Sequence, residues 1–338
     1  MFRKRLGLMT GLCAISTAAA AGTITVDTGD IALKGGMTAG YFYSDNTGSS
    51  NTDNFHVSDM LIELSDEAKT GGVGFKAGFG SMSAITILDG GVNNSAGFST
   101  FGLQYGSVDF APIEGLTISA GKLATNIGYE VTPSYANAHA TIAALWGGQP
   151  VYYPGIRASY SLGDVSVYAE TNNDTLKLGN STATNAYAVG VSGSAGSLNY
   201  MASYYDYDKA KNIVDVIVST TVGNIDLAIN ADYHMLDSEA KVAGQDDSAM
   251  GVALYIKPTY GKMSYPVRIE YMSDGTSGIY GFDSATTYTI TPTYSPSANT
   301  FVRAEVSMVQ STNKVFADKD GVATDSKTNV ALQAGYRF

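Results

Sequence analysis

The sequence predicts an all-β fold: one closed antiparallel transmembrane β-barrel of sixteen strands. Three observations lead there. Apolar and polar residues alternate one by one in segment after segment, as in strands with one apolar and one polar face. The connections between these segments tend to alternate short and long. Charged residues make up 15% of the chain, against roughly 25% in an average soluble domain, while Gly (38) and Tyr (23) are abundant. Mean hydropathy is close to zero, and no apolar run long enough for a spanning helix follows residue 21. A chain that enters lipid without helices must close its sheet, because only helices and closed barrels satisfy every backbone donor and acceptor there.

Residues 1–21 read as a cleaved signal peptide. Arg3, Lys4 and Arg5 supply a basic start, Leu6 to Ile15 a short apolar run, and Ala18 to Ala21 the small residues for cleavage after Ala20 or Ala21. The run is too short for a membrane anchor. Acylation at Cys13 is disfavoured by bulky Leu12 before it. Residues 22–338 then form the barrel. Cleavage takes the net charge from −11 to −14 and removes the only cysteine, which excludes disulfides and Cys-based metal sites. An acidic exported chain is a poor nucleic-acid binder. No cofactor or metal motif is present, so none is expected.

The first strands are expected at 33–44 and 54–66, the second with a bulge where its parity changes between Val57 and Met60. Next comes 71–80, where Val73, Phe75, Ala77 and Phe79 oppose Gly74, Lys76, Gly78 and Gly80. Further strands follow at 98–110, 115–122, 153–162, 164–172, 184–194, 196–206 and 211–221. In 223–235, Ile225, Leu227, Ile229, Ala231 and Tyr233 oppose Asp226, Asn230, Asp232 and His234. Strands at 248–258, 261–273 (Val267, Ile269, Tyr271 against Arg268, Glu270) and 284–295 come next. In 298–309, Val302, Ala304, Val306 and Met308 oppose Arg303, Glu305 and Ser307. The last strand, 327–338, sets Val330, Leu332, Ala334, Tyr336 and Phe338 against Asn329, Ala331, Gln333, Gly335 and Arg337.

Short connections such as Ser161–Asp164, Gly193–Gly196 and Val222–Asn224 are interleaved with long ones at 81–97, 123–152, 173–183, 236–247, 274–283 and 310–326. Outer-membrane barrels show this pattern, with tight periplasmic turns and longer external loops. An even strand number places both termini on the periplasmic side. The competing soluble reading is a sandwich or adhesin, whose apolar parity would form a core between sheets. Regular hairpin alternation, abundant Tyr and a terminal aromatic favour the barrel.

Residues 121–160 carry a more specific signal: Gly121-Lys122, then Gly128-Tyr129-Glu130, then after a spacer Gly155-Ile156-Arg157 in a strand. This resembles the OmpL-like porin family of Gram-negative outer membranes, which shows a Gly-Lys/Arg opening, a Gly-Tyr-Glu step and a Gly-x-Arg strand. The rest of the chain agrees with that family only in barrel pattern. Leu123 and Asn126 depart from it, where members often carry an aromatic and a proline. The resemblance implies an outer-membrane porin passing ions and small hydrophilic solutes by passive diffusion. It also implies that the third external loop, 123–152, folds toward the lumen and narrows it. The Ala-rich stretch Tyr135 to Trp146 in that loop predicts a short helix. Tyr336-Arg337-Phe338 is similar to the aromatic C-terminus read by the barrel assembly machinery. Trimers are common among such porins, which leaves a homotrimer open to the chain.

A sixteen-stranded barrel is wide enough for an aqueous channel. On the parity above, the inner wall holds seven basic and seven acidic residues: Lys34, Glu63, Lys76, Arg157, Glu170, Asp215, Asp226, Asp232, Lys257, Arg268, Glu270, Arg303, Glu305 and Arg337. Lys122 and Glu130 stand at the entry of the third loop and His139 within it. The pore-lining and constriction candidates are therefore Lys122, Glu130, His139, Arg157, Glu170, Asp226, Asp232, Arg268, Glu270, Arg303 and Glu305. Arg268 with Glu270 and Arg303 with Glu305 share one face at i, i+2, and mutual neutralisation is the plain structural expectation for them. The surplus acids lie in loops and mouths, among them Asp45, Asp53, Asp237, Glu239, Asp246, Asp247, Asp318, Asp320 and Asp325. Acidic mouths enrich cations within a Debye length of ~8–10 Å, which predicts a weak cation preference. Tyr41, Tyr43, Tyr105, Tyr160, Tyr200, Tyr233, Tyr271 and Tyr336 are expected in the interfacial girdles facing lipid.

Other motifs carry less. Gly72 to Ala77 has a G-x-G-x-x-A shape but sits inside an alternating strand, where no dinucleotide site forms. Asp318-Lys319-Asp320-Gly321 with Asp325 has part of a calcium loop but no closing Glu, and reads as a solvated loop. His56, His139 and His234 are far apart in sequence, and no G-x-S-x-G or H-E-x-x-H occurs. The chain therefore does not read as an enzyme. A second functional class is an outer-membrane structural protein or adhesin that acts through its external loops around a plugged lumen.

Overall fold

A two-faced strand is stable in a bilayer only when both of its edges are paired, so alternation sustained along the chain dictates a closed sheet. The computed structural model describes residues 22–26, 29–50, 52–91 and 100–338; the expected leader lies outside them. The barrel strands are β1 (Gly29–Ser44), β2 (Asp53–Asp66), β3 (Val73–Met82), β4 (Gly102–Ile113), β5 (Leu116–Ala124), β6 (Tyr152–Leu162), β7 (Val165–Asn172) and β8 (Ala186–Ala195). They continue with β9 (Leu198–Asp206), β10 (Lys211–Val222), β11 (Ile225–Leu236), β12 (Ser248–Tyr260), β13 (Met263–Ser264 and Val267–Ser273), β14 (Ser284–Ile290 and Thr293–Tyr294), β15 (Thr300–Ser311) and β16 (Ser326–Arg337). Each pairs antiparallel with the next. The barrel closes where β1 meets β16, in register from Gly36 opposite Arg337 to Ser44 opposite Asn329.

Two details of the strands have local causes. The bulge expected between Val57 and Met60 is at Ser58, where Thr38 opposes Asp59 and Ala39 opposes Val57. Strands β13 and β14, expected as unbroken, are each interrupted around a proline, Pro266 and Pro292, because proline brings no N–H to the ladder. The two interruptions meet, the Thr291 N–H donating to the Pro266 carbonyl at 2.9 Å.

Connections alternate as expected. Short turns such as 163–164, 223–224 and 261–262 lie at one end and long connections at the other, the longest joining β5 to β6. The two faces separate cleanly. Ile229, Val306 and Leu332 are 47%, 50% and 55% exposed, whereas their neighbours Asn230, Glu305 and Gln333 are 1%, 2% and 1% exposed. The apolar parity is thus the outer skin and the polar parity the inner face. An arginine at a mid-strand outer position in a bilayer costs about 2–4 kcal/mol. Ile229→Arg is therefore expected to lower folding yield into lipid vesicles, read by heat-modifiable gel mobility, while Thr220→Arg at the short-turn end changes it little.

One girdle residue is a correction. Tyr105 faces inward, its hydroxyl donating to Glu63 at 2.6 Å and its ring stacking on Tyr152 at 5.3 Å. A second bulge causes this: Gly78 opposes Tyr105 but Phe79 opposes Leu103, so Gln104 is extra and the parity of β4 flips. Tyr43, Tyr160, Tyr233, Tyr271 and Tyr336 are exposed as expected.

Candidate functional site

The connection 125–151 is built almost entirely of uncharged residues, Glu130 being its only acid. Its backbone donors need partners, and charged side chains of the inner face supply them. It contains no α-helix, contrary to expectation. Two 3-10 turns, Ser134–Ala136 and Leu145–Gly148, bracket irregular chain, because Ala-rich propensity is weak beside the tertiary hydrogen bonds available here.

On β15, Glu305 accepts from Ala140 N (2.6 Å), Thr141 N (3.1 Å), Thr141 Oγ1 (2.5 Å) and Thr291 Oγ1 (2.8 Å). On β13, Glu270 accepts from Leu145 N at 3.0 Å and Thr287 Oγ1 at 2.6 Å. Glu130 of the connection accepts from Ala143 N at 2.5 Å and from Arg268 Nη1 at 2.8 Å. Arg268 also donates to the Thr141 carbonyl at 2.8 Å, and its Nε lies 3.2 Å from Glu270. One buried guanidinium thus stands between two carboxylates, one from the wall and one from the connection. Charge-assisted bonds of this kind are the strong ones.

Arg303 joins the opposite side. It donates to Gln333 Oε1 (2.8 Å) and to the carbonyls of Asn137 (2.9 Å) and Ser134 (3.0 Å). Ser134 N in turn donates to Asp59 on β2 at 2.9 Å, and Thr38 Oγ1 to the same carboxylate at 2.7 Å. On β10 and β11, Asp215 takes Gly128 N (3.4 Å), Asn230 takes Tyr129 N (3.1 Å) and Asp232 takes Gln149 Nε2 (2.8 Å), while Lys211 donates to the Gly148 carbonyl at 2.7 Å. Beside β1, the Tyr135 ring lies where only a glycine leaves room, 2.7 Å from where a Cβ of Gly36 would be. The connection is therefore tied to the inner face from β1 and β2 through β10, β11, β13, β15 and β16.

Other connections add to this packing. Ile142 N donates to the Ile85 carbonyl at 2.7 Å and Ile87 N to the Ile142 carbonyl at 2.8 Å. Leu145 and Ile87 share an apolar cluster with Tyr280, Phe282 and inner residues Ala253 and Met272.

A family model described as "Putative beta-barrel porin-2, OmpL-like" matches residues 30–338. The chain belongs to that family. This OmpL-like porin is a channel protein of the outer membrane, and its fold matches solved outer-membrane structures. It superposes on the outer membrane channel DcaP of Acinetobacter baumannii with a TM-score of 0.65 and 13% identity, covering 93% of this chain and 99% of that one. OmpT of Vibrio cholerae gives 0.66 at 13%, covering 94% and 99%. The anion-selective porin from Comamonas acidovorans gives 0.60 at 11%, covering 91% and 99%. Identities this low speak for the fold. No curated protein matches the sequence.

Of the residues singled out from sequence in this OmpL-like porin, Glu130, His139, Arg268, Glu270, Arg303 and Glu305 are brought together around the connection. Arg303 and Glu305 do not neutralise each other as expected. Each is engaged by the connection instead, whereas Arg268 and Glu270 do meet. His139 Nδ1 lies 2.7 Å from Thr291 Oγ1. That hydroxyl already donates to Glu305, so the imidazole donates from Nδ1. Burial, then the charges of Arg268 and Arg303, hold His139 well below its ordinary pKa, and it stays neutral. Arg157 and Glu170 pair at 2.5 Å on another stretch of wall, where Arg157 also bonds Asn126 at 3.1 Å. Asp226 pairs with Lys257 at 3.0 Å, away from the connection's anchors. Lys122 lies over the Tyr152 ring at 5.9 Å.

Asp59, Gln333 and Asn230 were missed as anchors. Asp59 shares its parity with Glu63 beyond the Ser58 bulge, and that count finds it. Gln333 and Asn230 stand on the inner parity, but being uncharged they were not singled out. In the loop read as solvated, Asp318 Oδ1 accepts from Asp320 N and Val322 N at 2.9 Å, so the carboxylate closes a turn.

Proposed function

We propose that this porin passes ions and small hydrophilic solutes passively, through a lumen that the connection 125–151 crosses and narrows. The observation that carries this reading is the set of hydrogen bonds tying that one segment to inner-face groups on widely separated strands. A segment held from several sides of a ring lies across it. The anchors carry both signs, Arg268, Arg303 and Lys211 against Glu130, Glu270, Glu305, Asp59, Asp215 and Asp232, so the waist is a polar restriction that sets no preference for anions. Selectivity then falls to the acidic long-loop end, where Asp45, Asp237, Asp247, Asp318 and Asp325 sit, and favours cations weakly. We read residues 1–21 as the cleaved export signal and Phe338 as the residue presented to the assembly machinery. Its backbone N–H and carbonyl both pair with Gly35, at 3.0 Å, across the closing seam.

Reversal potential across a salt gradient tests the selectivity. A modest cation preference is expected, reduced when Asp237, Asp246 and Asp247 are replaced by Asn. A preference for anions in the unaltered protein contradicts it.

A second reading has an observation of its own. Two apolar clusters join loop residues to inner-face residues toward the long-loop end, one around Leu145 and Tyr280, the other around Ile127, Tyr153 and Tyr205. Such packing favours a plugged barrel acting through its external loops. Silence from well-folded barrels in planar bilayers, persisting at high voltage, selects this reading over the porin.

A further inference from the structure

Toward the short-turn end, beneath residues 129–139, lies a cavity of about 520 Å³. Much of its wall is apolar or aromatic, through Tyr135, Tyr255, Met263, Val267 and Phe301. Its charges are unevenly matched. Asp226 pairs with Lys257 at 3.0 Å, and Glu130 pairs with Arg268 at 2.8 Å. Lys262, Arg303 and Arg337 also line the cavity, and among the described residues none of the three has a carboxylate within ion-pair distance. Arg303 is at least saturated by neutral acceptors, Gln333 and the carbonyls of Ser134 and Asn137. Arg337 makes one long bond, from Nε to the Ala298 carbonyl at 3.4 Å, and among the described residues its terminal nitrogens donate to nothing. A half-buried guanidinium whose terminal nitrogens meet no protein acceptor among the described residues, set in a concave and largely apolar wall, can exchange its water for a ligand's charged acceptor.

We infer that this cavity is a binding site for a small organic carboxylate: the carboxylate on Arg337, with Lys262 adding positive potential from the turn before β13 on the same cavity lining, the apolar body against Phe301 and Tyr135. Arg303 adds positive potential behind the site without giving up its bonds. The size suits a short-chain acid, since drug-sized pockets begin near ~300 Å³. Binding here does not depend on conduction, so the inference stands or falls apart from the channel reading.

Isothermal titration calorimetry on the full chain in detergent tests it, with hexanoate as probe and acetate and hexanamide as partners lacking the body or the charge. Hexanoate is expected to bind, and acetate and hexanamide each about tenfold or more weakly. Arg337→Gln is expected to weaken hexanoate by about tenfold, while heat-modifiable mobility and partition into the detergent stay unchanged. If that variant fails to assemble, Lys262→Gln on an exposed turn reads the same charge and weakens hexanoate severalfold. Equal heats for all three compounds, or hexanoate binding untouched by both substitutions, overturns the site.

Discussion

Arg268→Ala is expected to destabilise the folded barrel by about 3–5 kcal/mol, the usual cost of leaving buried charge without its partner. Arg268 is fully buried and contacts both Glu130 and Glu270. Its removal leaves two carboxylates facing each other without a cation and frees the Thr141 carbonyl. Alanine also leaves a void where the guanidinium lay. The temperature at which gel mobility shifts should fall, and the connection should lose its hold on β13. Adding Glu130→Gln and Glu270→Gln to Arg268→Ala should recover part of the loss, because removing both halves of a buried pair costs less than removing one. A single variant that melts with the unaltered protein would show that this network does not hold the segment.

Deleting residues 131–148 and bridging the gap with a short Gly/Ser linker is expected to raise single-channel conductance severalfold and to admit larger sugars in a solute-exclusion series. The deletion removes every group that binds Arg303, Glu305 and Glu270 from the connection, while the strands and their register are untouched. The freed charges regain water as the segment leaves, so the barrel should still fold. A folded deletion barrel with unchanged conductance would place the restriction elsewhere.

These expectations rest on contacts that the sequence does not display. Strands were legible because parity is a local property. The alternation of Val302 to Met308 against Arg303 to Ser307 is enough to orient β15, and the slip between Val57 and Met60 is enough to mark a bulge. Parity fails where a bulge leaves no mark in the apolar pattern, as at Gln104 between Gly102 and Gly106, and there Tyr105 turns inward unannounced. The inner charges were legible as inner but not by partner. Glu305 is expected to answer Arg303 two residues away, yet it binds Ala140 and Thr141 from a distant part of the chain. Such pairings depend on where a long connection folds, and periodicity says nothing of that. The same tertiary bonds explain why Tyr135 to Trp146 spends its alanines on an irregular path and not on a helix.

Planar-bilayer recording of the intact, full-length barrel is the most direct test of a polar channel narrowed by a wall-anchored segment. The expected result is small, discrete current steps that grow in proportion to salt and enlarge when residues 131–148 are removed. The contradictory result is no steps from either protein, when both run on gels as folded, heat-modifiable barrels.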